Sequence, residues 1–283
     1  MLLVYALLSA YASITLVPFV YLVFSAFKSK ESFFTFVLWP TVPGTDESPS
    51  AWYSVDWSGF TLDHWYTLFF EAGIIRATVN SFFISSVTAI LATLFSAMGG
   101  YALAKYKFKG QAAATWIVLG SLVVPFALLI APGYQLLYWL GLLDTYSGLI
   151  LPGIAPAFGV YLFRQAFISS MPNALIEAAR IDGCGDIRIF FQVALPMVRP
   201  MVGAFLLITY LATWNNFISP QIVIQSAEKM PLSVFVAQLR GPYDTQYGLI
   251  MAGTLVAIFP VLVLFLMLQR DFIAGLTAGA VKG

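Results

Sequence analysis

Polar and apolar positions fall in long blocks, without the short alternation of a soluble protein. Six stretches carry no charged residue: Met1–Phe27, Ala77–Ala104, Gln111–Leu143, Thr145–Phe163, Pro200–Ala227 and Thr245–Gln269. None is shorter than 19 residues, and a helix needs roughly 20 to cross the hydrocarbon core of a bilayer. Inside lipid every backbone polar group must be paired, and a helix does this within one segment. The pattern therefore predicts an all-α integral membrane protein with six transmembrane helices, at about 1–27, 77–104, 111–138, 146–166, 198–219 and 247–268. Met1–Phe27 has no basic start and no small-residue cleavage site, and reads as a retained helix. Pro125 and Pro132-Gly133 are expected to kink or interrupt the third helix.

Composition agrees with this reading. Of 283 residues, 60% are hydrophobic and 10% charged, against about 25% charged in soluble domains. Charge also orients the chain. With the N-terminus in the cytoplasm, nine of the 14 basic residues lie inside: Lys105, Lys107, Lys109, Arg164, Arg180, Arg188, Arg199, Arg270 and Lys282. Acidic residues divide the other way, and the Lys and Arg excess marks the cytoplasmic side. The connections are then an outer loop 28–76, a cytoplasmic loop 169–197, an outer loop 220–246 and a cytoplasmic tail 269–283, around one permease-sized domain of 1–283. The first outer loop carries turn residues at Trp39-Pro40, Pro43-Gly44 and 46–50, followed by Trp52, Tyr53, Trp57, Phe60, Trp65 and Tyr66.

Within the cytoplasmic loop, residues 177–196 form a polar island. Ser170-Met171-Pro172 offers a helix start. A short helix is expected from about Pro172 to Asp182, ended by a left-handed Gly183. A second helix is expected from about Asp186 to Val193, with Ile187, Phe190 and Phe191 largely on one side and Leu195-Pro196 turning the chain back. Ala178 and Ala179 would let another surface approach closely, and Glu177 offers a charge to a partner. Such a two-helix knob fits a groove on a soluble protein. From residue types alone, an amphipathic loop lying on lipid headgroups fits as well.

The spacing of Glu177, Ala178, Ala179, Gly183, Val193, Leu195 and Pro196 resembles the coupling-loop signature of ABC importer permeases. The likeness extends to Asn80-Ser81, to the run from Tyr101 to Gly110, to Arg164-Gln165-Ala166-Phe167, to the run from Thr61 to Tyr66, and to the tail from Gly275 to Gly283. It covers roughly 60–283 and is specific to the carbohydrate-importer branch with maltose-type six-helix permeases; 28–59 lies outside it. The resemblance implies a type I ABC importer permease with cytoplasmic N- and C-termini, in a bacterial or archaeal inner membrane. It implies a second homologous permease, two cytoplasmic ABC ATPases, an external solute-binding protein and a sugar or oligosaccharide substrate. ATP and Mg would sit on the ATPases, leaving this chain with no cofactor, metal or catalytic residue. Glu177, Ala178, Ala179, Asp182, Gly183, Val193, Leu195 and Pro196 would couple to the ATPases, and the tail residues Gly275, Gly279, Lys282 and Gly283 would run along them. The second outer loop would reach toward the binding protein's sugar cleft. Relatives also carry glycerol phosphates and uronic-acid polymers, so an anionic solute stays open.

The residues exclude several other classes. None of the seven lysines follows a glycine, so the chain has no Walker A loop. A secondary transporter acting alone would need an ion site and usually inverted repeats, and the uncharged spans offer no proton relay. A membrane enzyme would need paired carboxylates, or a histidine beside a nucleophile, and the one histidine, His64, sits among outer aromatics. Cys184, the sole cysteine, reads as a bystander. The spans hold neutral hydrogen-bonding and aromatic groups suited to sugars: Tyr210, Thr213, Trp214, Asn215 and Asn216 in the fifth helix, then Asn80, Ser81, Tyr134, Gln135 and Tyr138. Helix bridging by the amides and an interfacial belt for Trp214 fit these residues too.

Overall fold

The computed structural model describes residues 1–34, 38–41, 53–241 and 245–280, with side chains as far as Met267 in the last helix. Regular structure among the described residues is helical, apart from two isolated antiparallel bridges, Lys28 with Phe60 and Thr41 with Val55. In chain order the helices are α1 (Leu2–Ser25), α2 (Asp63–Tyr66, continued by a π turn Thr67–Glu71), α3 (Ile74–Lys105), α4 (Gln111–Ser121), α5 (Phe126–Trp139), α6 (Tyr146–Ile150) and α7 (Ala157–Ser170). They continue as α8 (Asn173–Ile181), α9 (Asp186–Met197), α10 (Arg199–Trp214), α11 (Ile218–Val223), α12 (Leu232–Gln238) and α13 (Tyr247–Ala280). Residues 43–50, Trp52, Lys282 and Gly283 lie outside the described residues.

Among the described residues, four stretches are long and apolar enough to cross a bilayer: α1, α3, Tyr146–Ser170 and Tyr247–Met267. Two further candidates pass only as bent pairs, α4 with α5 at 105° and α9 with α10 at 84°. The expected single helix 111–138 is thus two. Pro125 has no N–H to give the preceding turn and holds extended dihedrals (φ −63°, ψ 130°) at the start of α5, and it pushes Val124 away from helical backbone. Pro132 stays inside α5. The fifth helix, expected over 198–219, ends at Trp214, and α11 follows after a break.

The chain divides into two compact units, 1–78 with 232–262 and 79–231 with 263–283. In the first, Leu68, Ile74, Leu232, Val234 and Ala252 are buried, and Phe33 stacks on Tyr247 at 5.3 Å. His64 is buried there; its Nε2 lies 2.9 Å from the Lys28 carbonyl oxygen. The apolar surface of α1 is exposed along nearly its whole length.

The second unit is built on close approach of α3 and α7. A Cβ at Gly100 would lie 2.6 Å from the Arg164 amide nitrogen and 2.8 Å from the Val160 carbonyl oxygen. One at Gly159 would lie 2.4 Å from Ser96 Oγ and from the Phe205 ring. Small residues bring helix backbones together where lipid removes the usual hydrophobic drive. Around this seam Tyr101, Phe163, Phe167 and Phe205 form a buried core that continues into the cytoplasmic loop.

Candidate functional site

The loop 169–197 is a folded knob with one face built into that core. On α8, Ile176 and Ala179 point inward, three residues apart; on α9, Ile189, Phe190 and Ala194 do the same. The Tyr101 ring lies 5.3 Å from Phe167 and 5.5 Å from Phe190, so one tyrosine joins α3, α7 and α9. Lys105 Nζ donates to the Met171 carbonyl at 2.5 Å and to Asn173 Oδ1 at 3.2 Å, tying the end of α3 to the entry of α8. Truncating a buried Phe costs about 3–5 kcal/mol, so Phe167 and Phe190 hold the knob firmly to the helix core.

Gly183 makes the corner between α8 and α9. Its φ is +78°, its N–H donates to Arg180 O at 3.0 Å, and the Cys184 N–H donates to Ala179 O at 2.9 Å. This pair of bonds closes a helix end through a left-handed residue, where glycine has no side-chain penalty. Cys184 is half-buried against the same core. Across the corner Arg180 pairs with Asp186 at 3.0 Å, both exposed.

Several details differ from the sequence expectation. Ser170 ends α7 instead of capping α8, and Pro172 occupies the position before it. The second helix runs on to Met197 because a π turn over Phe190–Ala194 carries it past Val193. That wider turn shifts register. Phe190 is buried while Ile187 and Phe191 are exposed, so the three do not share one side. Ala179 is also buried, its small side chain packed into the core. Glu177, Ala178, Asp182, Gly183 and Pro196 are exposed; Val193 and Leu195 are half-buried. The exposed face adds Ile181 at 86% exposure, which the sequence did not single out, and Ile187 at 77%, two large apolar groups on a charged surface. Gly275 and Gly279 fall in the last turns of α13.

The pathway candidates separate in the same way. Thr213, Asn216, Ser81 and Tyr134 line a cavity of about 600 Å³ among α3, α5, α10 and α11. Tyr210 and Trp214 are buried and stacked on each other at 5.8 Å, away from that cavity. Asn215 donates to Leu211 O on its own helix; Gln135 and Tyr138 are exposed and do not line the cavity. Among the lining residues outside the sequence candidates are Ser85 and Thr88, whose buried hydroxyls have no hydrogen-bond partner among the described residues. The spacing 81, 85, 88 along one face of α3 was the available signal. Among the described residues no charged side chain lines the cavity.

Asn80 is used within the protein. Its amide donates to the carbonyls of Glu228 and Met230 at 2.9 and 3.0 Å, and its Oδ1 accepts from the Tyr146 hydroxyl at 2.9 Å. Beside it, the Asp144 carboxylate accepts from Gln225 N at 3.0 Å, Ser226 N at 2.9 Å, Ser226 Oγ and Lys229 Nζ at 3.0 Å. These bonds, the Ser226 hydroxyl foremost, then the Ser226 amide and Lys229, hold the carboxyl well below its ordinary 3.8. The folded group thus binds its proton less tightly than the unfolded one, so its contribution is full above about pH 4 and is lost as the pH falls through the depressed value. Hydrogen exchange of the Gln225 and Ser226 amides, corrected for intrinsic rates, is expected to be equally protected at pH 7 and pH 5; loss of protection at pH 5 would contradict this.

The family described as the binding-protein-dependent transport system inner membrane component matches residues 89–273. The chain is 42% identical over 229 residues to an arabinooligosaccharide transport system permease protein of Halalkalibacterium halodurans, covering 81% of this chain and 82% of that protein. It is 32% identical over 286 residues to a diacetylchitobiose uptake system permease protein of Streptomyces coelicolor, covering 98% and 88%. A chain of a bacterial ABC transporter involved in import of the acidic polysaccharide alginate has a similar fold, with a TM-score of 0.78 at 19% identity over 96% of this chain and 95% of that one. A chain of the MetNI methionine ABC transporter gives 0.52 at 16% identity, over 71% and 95%.

Proposed function

Because the chain belongs to the family of binding-protein-dependent transport system inner membrane components, we propose that it is a transmembrane subunit of an ATP-driven importer of sugars or oligosaccharides. Each bent helix pair counts as one span in this reading, giving six, with both termini in the cytoplasm and the membrane a bacterial inner membrane. A second homologous permease covers apolar surfaces such as α1. Two ABC ATPases grip the knob, and an external solute-binding protein delivers the sugar. The observation that carries the proposal is the two-faced knob: its inner side is part of the helix core, while Ile181 and Ile187 stand exposed beside Glu177 and Asp182. Exposed apolar groups rimmed by charge suit a protein groove, and a rigid inner side converts motion of that groove into motion of α3, α7 and α10.

The double variant Ile181→Asp/Ile187→Asp is expected to reach the membrane in normal amount, since both side chains are exposed, and to lose co-purified ATPase by about tenfold or more. Undiminished ATPase recovery would count against the knob as the docking site.

The uncharged cavity is the proposed sugar path through this half of the transporter. Hydroxyls on α3 face it from one side, and Phe126 and Tyr134 on α5 from another, which matches a ring that is polar at its edge and apolar on its faces. In a Cys184→Ser background, Thr88→Cys and Thr213→Cys are expected to react with a membrane-impermeant thiol reagent added from outside in at least one nucleotide state. Silence of both positions in every state would remove the cavity from the pathway.

A further inference from the structure

Loops on a membrane surface are ordinarily the most mobile part of a chain, yet residues 225–231 are fixed at two points. At one, Asp144 takes part in six hydrogen bonds. Four reach its carboxylate, its N–H donates to Val223 O at 2.8 Å, and Lys229 Nζ also donates to its carbonyl at 2.6 Å. At the other, the buried Asn80 amide takes the carbonyls of Glu228 and Met230. The Tyr146 hydroxyl on Asn80 Oδ1 links the two points. The segment so held follows α11, while its anchors stand at the outer end of α3 and in the turn between α5 and α6.

Asp144 is also the only non-glycine residue with positive φ among the described residues, at +55°. That conformation is costly for a side-chain-bearing residue and persists where the surroundings impose it. Here it aims one carboxylate at two consecutive backbone amides and a lysine. Charge-assisted bonds of this kind are roughly twice as strong as neutral ones, and the Asp144 side chain is only 26% exposed. An ordinary tight turn would require none of this.

We propose that Asp144 and Asn80 are positioning residues that bind segment 225–231, the start of α3 and the α5–α6 turn into one rigid latch, through which a docked solute-binding protein acts on the membrane helices. The inference rests on the importer reading above. It makes the latch the outer counterpart of the cytoplasmic knob: each anchors a partner-facing loop to α3, one near Asn80 and the other near Tyr101 and Lys105.

The test uses the assembled transporter in proteoliposomes with the solute-binding protein encoded beside it, saturated with its sugar. Asp144→Ala is expected to raise the binding-protein concentration for half-maximal ATPase stimulation about tenfold, within the usual range for coupling between sites. Basal ATPase without the binding protein should stay within about twofold, and exchange of the Gln225 and Ser226 amides should speed up. Asp144→Asn, which keeps an acceptor oxygen for those amides but loses the Lys229 partner, should fall between the two. A stimulation curve unchanged in Asp144→Ala, with exchange accelerated, overturns the latch and leaves the importer reading intact. Equal loss of basal and stimulated activity in both variants reduces Asp144 to a purely structural residue and overturns it as well. A wild-type transporter indifferent to the binding protein would instead overturn the importer reading, and the latch with it.

Discussion

Gly100→Val removes folded permease from the membrane, while Gly99→Ala, one residue away, leaves it near wild-type amount: this is the expected result of the close approach between α3 and α7. Overpacking a core usually costs about 1–3 kcal/mol because a side chain can yield. At Gly100 the obstacles are the Arg164 amide nitrogen and the Val160 carbonyl oxygen, at 2.6 and 2.8 Å, and backbone atoms yield only if the helices separate. Separation would strip contacts from Phe163, Phe167 and Tyr101, all buried in the core that also holds the knob. At Gly99 a Cβ meets only Val160 side-chain atoms, the nearest at 3.3 Å, and a rotamer adjustment suffices. Membrane yield and thermal melting of the purified complex decide the matter; similar behaviour of the two variants would show that the seam does not govern folding.

Gly183→Val is expected to give the second large effect, of a different kind. No atom lies within 4 Å of the position a Cβ would take, so space is not the constraint. The cost is conformational: a β-branched residue at φ +78° is strained by about 1–3 kcal/mol. The loop can relieve this by opening the corner, which breaks the bonds to Arg180 O and Ala179 O and swings α8 relative to α9. Assembly in the membrane should survive, because the close approach of α3 and α7 at Gly100, Val160 and Arg164 does not include the corner residues. Substrate-stimulated ATPase and uptake should fall by about 5- to 150-fold, the factor those energies represent. Gly183→Asn should lose far less, since Asn tolerates the left-handed region. Equal activity in the valine and asparagine variants would show that the corner's geometry does not matter.

Much of the candidate site was legible. A first helix ending near Asp182, a second starting at Asp186 and the left-handed Gly183 between them followed from residue types with strong local preferences. Local preference fails where a neighbour decides. The π turn at Phe190–Ala194 changes which α9 residues face inward, and no propensity at those five positions announces it. Asn80 stands at a spanning helix start, which suits a pathway residue, but its amide is taken by carbonyls about 150 positions later in the chain. Ser85 and Thr88 looked like any membrane-helix hydroxyls until α5, bent away at Pro125, left a cavity in front of them.

The sequence by itself determined the apolar blocks, the all-helical class, the glycine corner and the family likeness, because each is written in the order of neighbouring residues through length, charge and backbone preference. Only the tertiary structure decided which face of the knob is built in and which is offered, which hydroxyls see a cavity, and that Asp144 clamps a segment 81 to 85 residues away. Those outcomes depend on which surfaces meet: a helix's own periodicity says which of its residues share a side, while what covers that side is set by distant parts of the chain.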